Sequence, residues 1–310
     1  MVANEQLSLT TLSLPVIRPQ IASEADYAAC REIMRGASKN YSFASDFLPD
    51  SKLRHVEALY ALLRVGDDRV DVSQGDFNSP LEAIEDWEWS YHRAFETGDS
   101  PDPVMRAYLD TAIAYDIPYE TMLAYFRAMK EDLTITRFPT FAHLLHYMDG
   151  SALPVGRAMT YILGVREPHT IGDALPAADA LSIAMQLSNF WRDIGEDYRD
   201  RRRIYLPLED MDRFGVSEAD IAAGRITDDF ARLLEFEFAR TEDYYAQARQ
   251  GVALLAHARW AIMSALEIYH AILPDVRRHG YDVFSRTAGA TRWGKAGLAL
   301  RALWQVRIGA

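Results

Sequence analysis

Two pairs of aspartates, far apart in the chain, have the residue types and spacing of a metal and phosphate site. Asp67 and Asp71 are four residues apart, and so are Asp193 and Asp197. On a helix this spacing places both carboxylates of a pair on one face, roughly 6 Å apart along the axis. Mg²⁺ binds carboxylate oxygens and usually completes its octahedron with water and substrate phosphate. Together the two pairs predict a site for a Mg²⁺-bound diphosphate.

The first pair follows a largely apolar helical stretch over residues 56–64. At a helix C-terminus, two carboxylates meet the negative end of the helix dipole and also repel each other. Bound cations would offset both costs. The alternative is a solvated acidic helix end that leads into a polar loop, and this motif alone leaves both interpretations open.

The neighbours of the second pair favour a site more strongly. Gln186, Asn189, Asp193 and Asp197 recur at intervals of three and four residues, so they share one helix face. The same stretch is otherwise rich in large apolar residues, and buried polar groups need partners. A metal with diphosphate would supply those partners, whereas the alternative is an exposed polar face.

Arginines accompany both motifs. Arg64 lies less than one turn before Asp67, Arg192 adjoins Asp193, and an arginine-rich run over residues 199–203 follows the second pair. Arginine binds diphosphate oxygens bidentately and stabilises a diphosphate leaving group. For most of the run, a solvated loop is the simpler interpretation.

Helical periodicity dominates the elements that must position these residues. The pattern lacks alternating strand runs and βαβ units, and it predicts one all-α domain over residues 21–310 after an N-terminal extension over residues 1–20. The predicted helices lie near 22–37, 50–66, 80–97, 102–115, 119–130, 140–163, 175–199, 227–249, 251–272 and 290–306.

Composition excludes several classes of function. The net charge of −12 argues against nucleic acid as a partner, and the single Cys30 excludes an intrachain disulfide. Neither a signal peptide nor a membrane-spanning run is visible, which predicts a cytoplasmic protein. The basic, tryptophan-containing segment 276–310 adds an alternative: peripheral association with the inner face of the membrane, rather than a docked terminal helix.

The assembled motifs resemble the squalene and phytoene synthase family over nearly the whole chain, from about residue 38 to residue 302. The string from Gln186 through Asp193 and Asp197 to Pro207, which includes Arg203-Ile204-Tyr205-Leu206-Pro207, is the most specific element. The other matching strings are Ser38-Lys39-Asn40-Tyr41, the stretch Ala58 to Asp71, Met129 to Asp132, Tyr147 to Gly156, and Gly280 to Arg286.

The resemblance implies an all-α, single-domain class I isoprenoid synthase fold with a central cavity. It further implies two to three Mg²⁺ ions, with Mn²⁺ as an alternative metal, and isoprenyl diphosphate substrates. The implied metal ligands are Asp67, Asp71, Asn189, Asp193 and Asp197. The implied diphosphate-binding residues are Lys39, Arg64, Gln186, Arg192, Arg203 and Asn189, and the implied catalytic residues are the four aspartates with Arg64 and Tyr205.

Family members join two allylic diphosphates head to head through a cyclopropylcarbinyl diphosphate. The favoured interpretation is a phytoene synthase that condenses two geranylgeranyl diphosphates. A C30 branch, which takes farnesyl or presqualene diphosphate to squalene, dehydrosqualene or hydroxysqualene, is the main alternative. NADPH is not expected, because no nucleotide-binding motif is visible. The intact aspartates argue against a non-catalytic scaffold relative, and the Gln186–Pro207 string argues against a terpene cyclase.

Overall fold

A computed structural model of the chain describes residues 20–37, 48–71, 77–289, 302–303 and 306. Within these ranges the chain is built from α-helices and contains no named strand. In chain order the helices are α1 (Glu24–Ala37), α2 (Asp50–Asp71), α3 (Pro80–Thr97), α4 (Pro103–Ala114), α5 (Glu120–Glu131), α6 (Phe141–Ser151), α7 (Leu153–Leu163), α8 (Ile171–Arg192), α9 (Ile194–Arg201), α10 (Leu208–Phe214), α11 (Glu218–Ala222), α12 (Asp228–Val252), α13 (Arg259–His270) and α14 (Ile272–Arg278). The prediction of an all-α fold is confirmed.

Short polar side chains set the starts of several helices. The Ser79 hydroxyl accepts a hydrogen bond from the Glu82 main-chain N–H at the start of α3, and Thr140 caps α6 in the same way. Thr170 forms a reciprocal capping box with Asp173 at the start of α8. That box explains why α8 begins at Ile171, upstream of the predicted start at 175.

Two of the long predicted helices are interrupted. The predicted helix 140–163 is broken at Ala152, which separates α6 from α7. The predicted helix 175–199 is broken at Asp193, where φ is −102° and ψ is 12°, so the second acidic pair spans a helix junction. Periodicity misses both breaks because the apolar pattern continues on either side.

Two large apolar clusters make up the interior of the described residues. One is formed mainly by α1–α5 with part of α7, and the other mainly by α6 and α8–α14. Helix α8 packs against α12, where a Cβ at Gly251 would lie 2.1 Å from the Ala177 Cβ. Glycine at this position therefore permits the close approach of the two helices.

Some sequence predictions concern residues that the structure does not describe. Lys39 and the rest of the Ser38–Tyr41 motif lie outside the described residues, as does most of the predicted helix 290–306. Of the described helices, none combines the length and the apolar character needed to span a membrane. The predicted membrane-surface association of the basic segment therefore stays a prediction.

Candidate active site

Helix α2 places Asp67, the first residue of the first acidic pair, beside α5. Helix α2 extends five residues beyond its predicted end at 66 and ends at Asp71. Asp67 therefore lies on a continuous helix. The Tyr125 hydroxyl, on α5, lies 3.1 Å from Asp67 Oδ1 and 2.7 Å from the Leu63 carbonyl oxygen. Because a hydroxyl has one proton, Tyr125 donates to one of these acceptors at a time. Gly66 leaves room for the tyrosine, since a Cβ there would lie 2.2 Å from its hydroxyl.

Arg64 pairs within its own helix. Its Nε lies 3.2 Å from Asp68 Oδ2, and its Nη2 contacts Asp68 Oδ1. Both side chains are about two-fifths exposed, so this pair is solvated and adds little to stability. The guanidinium is therefore held near Asp67 by a weak contact that a bound anion can compete with.

The junction of α8 and α9 presents the second acidic pair. The Asp197 main-chain N–H donates to the Asp193 carbonyl oxygen at 2.8 Å, so one helical turn still joins the two residues. Arg192 Nε donates to Asp193 Oδ1 at 2.7 Å. Burial, followed by the neighbouring Asp193 carboxylate, raises the pKa of Asp197 to about 7.

A buried ion pair connects the loop after α5 with the loop after α9. Arg203, only 5% exposed, donates from Nη1 to Asp132 Oδ1 at 2.9 Å and from Nη2 to the Asp132 carbonyl oxygen at 2.6 Å. The same Nη1 lies 2.9 Å from the Tyr205 hydroxyl, and Tyr147 donates to Asp132 Oδ1 at 2.6 Å. Asp132 therefore binds two side chains from separate parts of the chain, and one of them, Arg203, contacts Tyr205.

Two tyrosines connect the motifs on the opposite side. Tyr60 on α2 and Tyr269 on α13 lie within electrostatic range of each other, and burial is the main cause that raises the pKa of each. Asp67 contributes to the shift of Tyr60. Asp193 contributes to the shift of Tyr269, and Arg192 opposes it.

Hydrogen bonds, together with electrostatic interactions over longer distances, link a set of polar side chains that we call the polar ring. Each member interacts electrostatically or by a hydrogen bond with the next. In order the members are Asp67, Tyr125, Asp132, Arg203, Asp197, Asp193, Arg192, Tyr269 and Tyr60. The two acidic motifs thus lie within electrostatic range of a shared set of side chains, and their joint role in one metal site stays a prediction.

Stacked aromatic rings lie next to the buried ion pair. The Tyr205 ring stacks on Phe190 with centroids 3.7 Å apart and on Phe138 with centroids 5.5 Å apart. Tyr147 lies 6.0 Å from Tyr205, and all four rings are buried. Aromatic faces stabilise nearby cations, so this stack suits positively charged intermediates.

A cleft of about 130 Å³ opens beside Asp193. Arg192, Asp193, Glu196 and Arg199 line one side of it, and residues 283–287 line the other. The mixture of acidic and basic groups suits a metal-bound anion.

The remaining sequence-predicted residues occupy intermediate positions. Gln186 and Asn189 are half-buried on α8, next to the buried side chains of Leu187 and Phe190. Asp71 is the last residue of α2. Arg203 lies at the site, but Asp132 and Tyr205 occupy much of its hydrogen-bonding capacity. The roles assigned to all of these residues stay predictions.

Sequence reasoning did not name four of the polar ring residues as site residues. Tyr60 could have been found, because it precedes Asp67 by seven residues and so shares its helix face. Tyr125, Asp132 and Tyr269 reach the ring through tertiary packing, although Asp132 does end a motif that was recognised.

The donor set fits Mg²⁺. Within the described part of the chain, no three carboxylate, histidine or cysteine side chains converge as a ready-made metal cage. Mg²⁺ usually takes only one or two carboxylates and obtains its other ligands from water and substrate phosphate. The raised pKa of Asp197 reflects crowding of two carboxylates as well as burial, and a divalent cation would relieve that crowding.

Comparisons with known proteins match the whole stretch of chain that carries this site. The family model described as squalene/phytoene synthase covers residues 34–294. A 15-cis-phytoene synthase from Synechococcus elongatus is 33% identical over 282 residues, which cover 88% of this chain and 90% of the relative. A 4,4′-diapophytoene synthase from Staphylococcus haemolyticus is 30% identical over 279 residues, covering 88% and 94% respectively.

Solved structures give the same result for the fold. A dehydrosqualene synthase crystallised with a ligand superposes with a TM-score of 0.80 at 28% identity, covering 91% of this chain and 97% of that one. The squalene synthase HpnC from Alicyclobacillus acidocaldarius superposes with a TM-score of 0.75 at 30% identity, covering 83% and 95%.

Proposed function

Because the chain belongs to the squalene/phytoene synthase family, whose members are head-to-head prenyltransferases, we propose that it condenses two geranylgeranyl diphosphates to phytoene. The observation that supports the proposal is the polar ring, in which Arg192 and Arg203 lie within electrostatic or hydrogen-bonding range of Asp193 and Asp197. A site with carboxylates and arginines at close range suits a metal-bound diphosphate leaving group.

The residues divide into those that hold metal and those that hold diphosphate. Asp67, Asp71, Asp193, Asp197 and Asn189 would hold Mg²⁺, which neutralises the departing diphosphate. Arginine and lysine side chains would contact the phosphate oxygens, supported by the amide of Gln186; these are Lys39, Arg64, Arg192 and Arg203. Arg192 and Arg64 are already paired with Asp193 and Asp68, so each guanidinium is preorganised beside an acidic motif.

The aromatic stack would protect the cation that remains. Departure of one diphosphate leaves an allylic cation, and the double bond of the second substrate attacks it. Loss of one proton then closes a cyclopropylcarbinyl diphosphate. Departure of the second diphosphate drives rearrangement to the 1–1′-linked skeleton, and loss of another proton yields phytoene. The buried rings of Phe138, Phe190 and Tyr205 would form an apolar wall that excludes water from these charges.

A C30 reaction is the second candidate. The 4,4′-diapophytoene synthase relative and the dehydrosqualene synthase structure are both similar to this chain at 28–30% identity over most of its length. The phytoene synthase of Synechococcus elongatus is slightly more similar, at 33%. That difference favours the C40 product.

The test is a product assay on purified protein with Mg²⁺. Farnesyl and geranylgeranyl diphosphate are supplied separately, with and without NADPH, and the organic extract is identified by mass spectrometry. The expected result is phytoene from geranylgeranyl diphosphate without NADPH. A C30 product formed preferentially from farnesyl diphosphate would instead support the C30 reaction.

Variants test the metal assignment in the same assay. Asp67→Asn and Asp193→Asn are expected to abolish turnover and leave the helical circular dichroism unchanged. Asp200→Asn is the matched control, because Asp200 lies three residues after Asp197 but is exposed, and its ion-pair partner Arg199 is exposed too. Retained turnover in either site variant contradicts the metal assignment, whereas inactivity of folded wild-type protein with both substrates favours a scaffold role.

A further inference from the structure

Residues 282–289, which we call the C-terminal strap, cross the start of α9. Gly195, the second residue of α9, permits this crossing. A Cβ at Gly195 would lie 2.8 Å from the Val283 carbonyl oxygen and 2.9 Å from the Phe284 Cα. The strap therefore lies tightly against the helix that carries Asp197, and it forms one wall of the cleft beside Asp193.

Asp275, on α14, fixes the far end of the strap. Its side chain is only 10% exposed, and its two carboxylate oxygens have different partners. Oδ2 accepts from Arg286 Nη2 at 3.2 Å and from the Gly289 main-chain N–H at 3.0 Å. Oδ1 faces its own helix, 3.0 Å from Arg278 Nη1 and 3.4 Å from His279 Nδ1. One oxygen thus holds the strap while local contacts hold the other.

The environment keeps the Asp275 carboxylate charged. Burial alone would raise its pKa, but the hydrogen bond from Gly289 and the charge of Arg286 outweigh burial, and the pKa is lowered. The ion pair with Arg286 is therefore present at neutral pH.

Arg286 lies in the cleft with hydrogen-bonding capacity to spare. It lines the cleft together with Arg192 and Asp193, and its Nη1 is buried without a hydrogen-bond partner. Because the guanidinium is planar, the contact of Nη2 with Asp275 restricts the direction of Nη1. Arg286 is thus a cleft residue with an unpartnered guanidinium donor, and such a donor is suited to an anionic oxygen once the side chain turns towards it.

We propose that Asp275 is a positioning residue: by holding Arg286 and Gly289, it sets the strap against the second acidic motif and orients Arg286 towards diphosphate. The inference rests on the proposed function, because it assigns Asp275 to the diphosphate end of that site. Asp275 itself acts through Arg286.

The first experiment measures inorganic pyrophosphate binding to the full-length protein by calorimetry in the presence of Mg²⁺. Asp275→Asn is expected to weaken binding about tenfold, the lower end of the loss seen when a residue that supports a metal ligand is removed. Arg278→Gln is the matched control: it removes an exposed partner of Asp275 but leaves the strap contacts intact. We expect its affinity to equal that of wild type.

A double-mutant cycle separates positioning from general stability. If Asp275 acts through Arg286, then Asp275→Asn has little further effect on pyrophosphate affinity in an Arg286→Gln background. Additive losses would show that Asp275 acts elsewhere and would overturn the proposal. So would an Asp275→Asn variant that binds pyrophosphate within about twofold of wild type.

Arg286→Lys covers the case in which Asp275→Asn does not fold. Lysine lacks the two fixed donors that let arginine contact Asp275 and an anion at once. The pyrophosphate affinity of Arg286→Lys should therefore fall as it does in Arg286→Gln. Wild-type affinity in Arg286→Lys overturns the inference and leaves the proposed function intact. Wild-type protein that neither binds pyrophosphate nor forms product overturns both.

Discussion

Replacing Asp132 with asparagine tests the buried ion pair that joins the two halves of the polar ring. The substitution keeps the size of the side chain but removes its charge, so the buried guanidinium of Arg203 loses its anionic partner. Removal of one member of a buried pair typically costs about 3–5 kcal/mol in unfolding free energy. Arg203 keeps its contacts with the Asp132 carbonyl oxygen and the Tyr205 hydroxyl, so we expect the lower end, about 3 kcal/mol.

Asp149→Asn provides the matched control. Asp149 also faces two arginines, Arg127 and Arg157, each at 3.4 Å. Its side chain is 40% exposed, whereas that of Asp132 is 16% exposed, and both of its partners are at least 32% exposed. Solvated pairs contribute at most about 1 kcal/mol, so this variant should lose no more than that.

Urea unfolding followed by circular dichroism measures both losses under the same conditions. The reasoning predicts a gap of about 2 kcal/mol between the two variants. Equal destabilisation of the two variants, or a loss below about 1 kcal/mol for Asp132→Asn, would refute the reasoning. Burial would then not make the Asp132–Arg203 pair contribute more to the unfolding free energy than the exposed Asp149 pairs.

Two further predictions concern buried groups outside the polar ring. Burial is the main cause that raises the pKa of Glu237 to about 8, so the folded state binds a proton there that the unfolded state releases above its ordinary pKa of 4.5. Unfolding free energy should therefore fall as pH rises from about 4.5 to about 8, and Glu237→Gln should reduce that slope in urea titrations across this range. Gly251→Ala should cost about 1–3 kcal/mol in thermal unfolding because its Cβ would overlap Ala177, whereas Gly36→Ala, which meets nothing within 4 Å, should gain up to about 1 kcal/mol.

Clear results would contradict each of these predictions. An unchanged pH slope in Glu237→Gln would show that Glu237 is ionised in the folded protein. Equal melting temperatures for Gly251→Ala and wild type would mean that α8 and α12 separate at little cost.

The sequence predicted the parts of the site that depend on spacing along one helix. Asp67 follows Arg64 by three residues, and Gln186 and Asn189 share a face of α8 that ends next to Asp193, so periodicity alone brings these groups together. It also predicted the all-α fold, because the apolar repeat of a helix is distinct from that of a strand.

Contacts between helices were beyond this reasoning. Tyr269 reaches the ring because of the way α13 packs, and no local pattern encodes that direction. The helix break at Asp193 was also missed, since the apolar periodicity continues through it and no proline marks it. The link from Asp132 to Arg203 joins two loops whose approach depends on the whole bundle.

The position of the polar ring between two apolar clusters has a consequence for how the protein loses activity. Asp67 and Tyr125 are carried by helices of the first cluster, whereas Asp193 and Tyr269 are carried by helices of the second. Native proteins open locally in cooperative units that often coincide with supersecondary motifs, and the helices of each cluster are mostly consecutive in the chain. Partial opening of either unit would separate the carboxylates while the other stays folded. Activity therefore depends on the less stable of the two units. On warming, it would be lost before most of the helical circular dichroism signal.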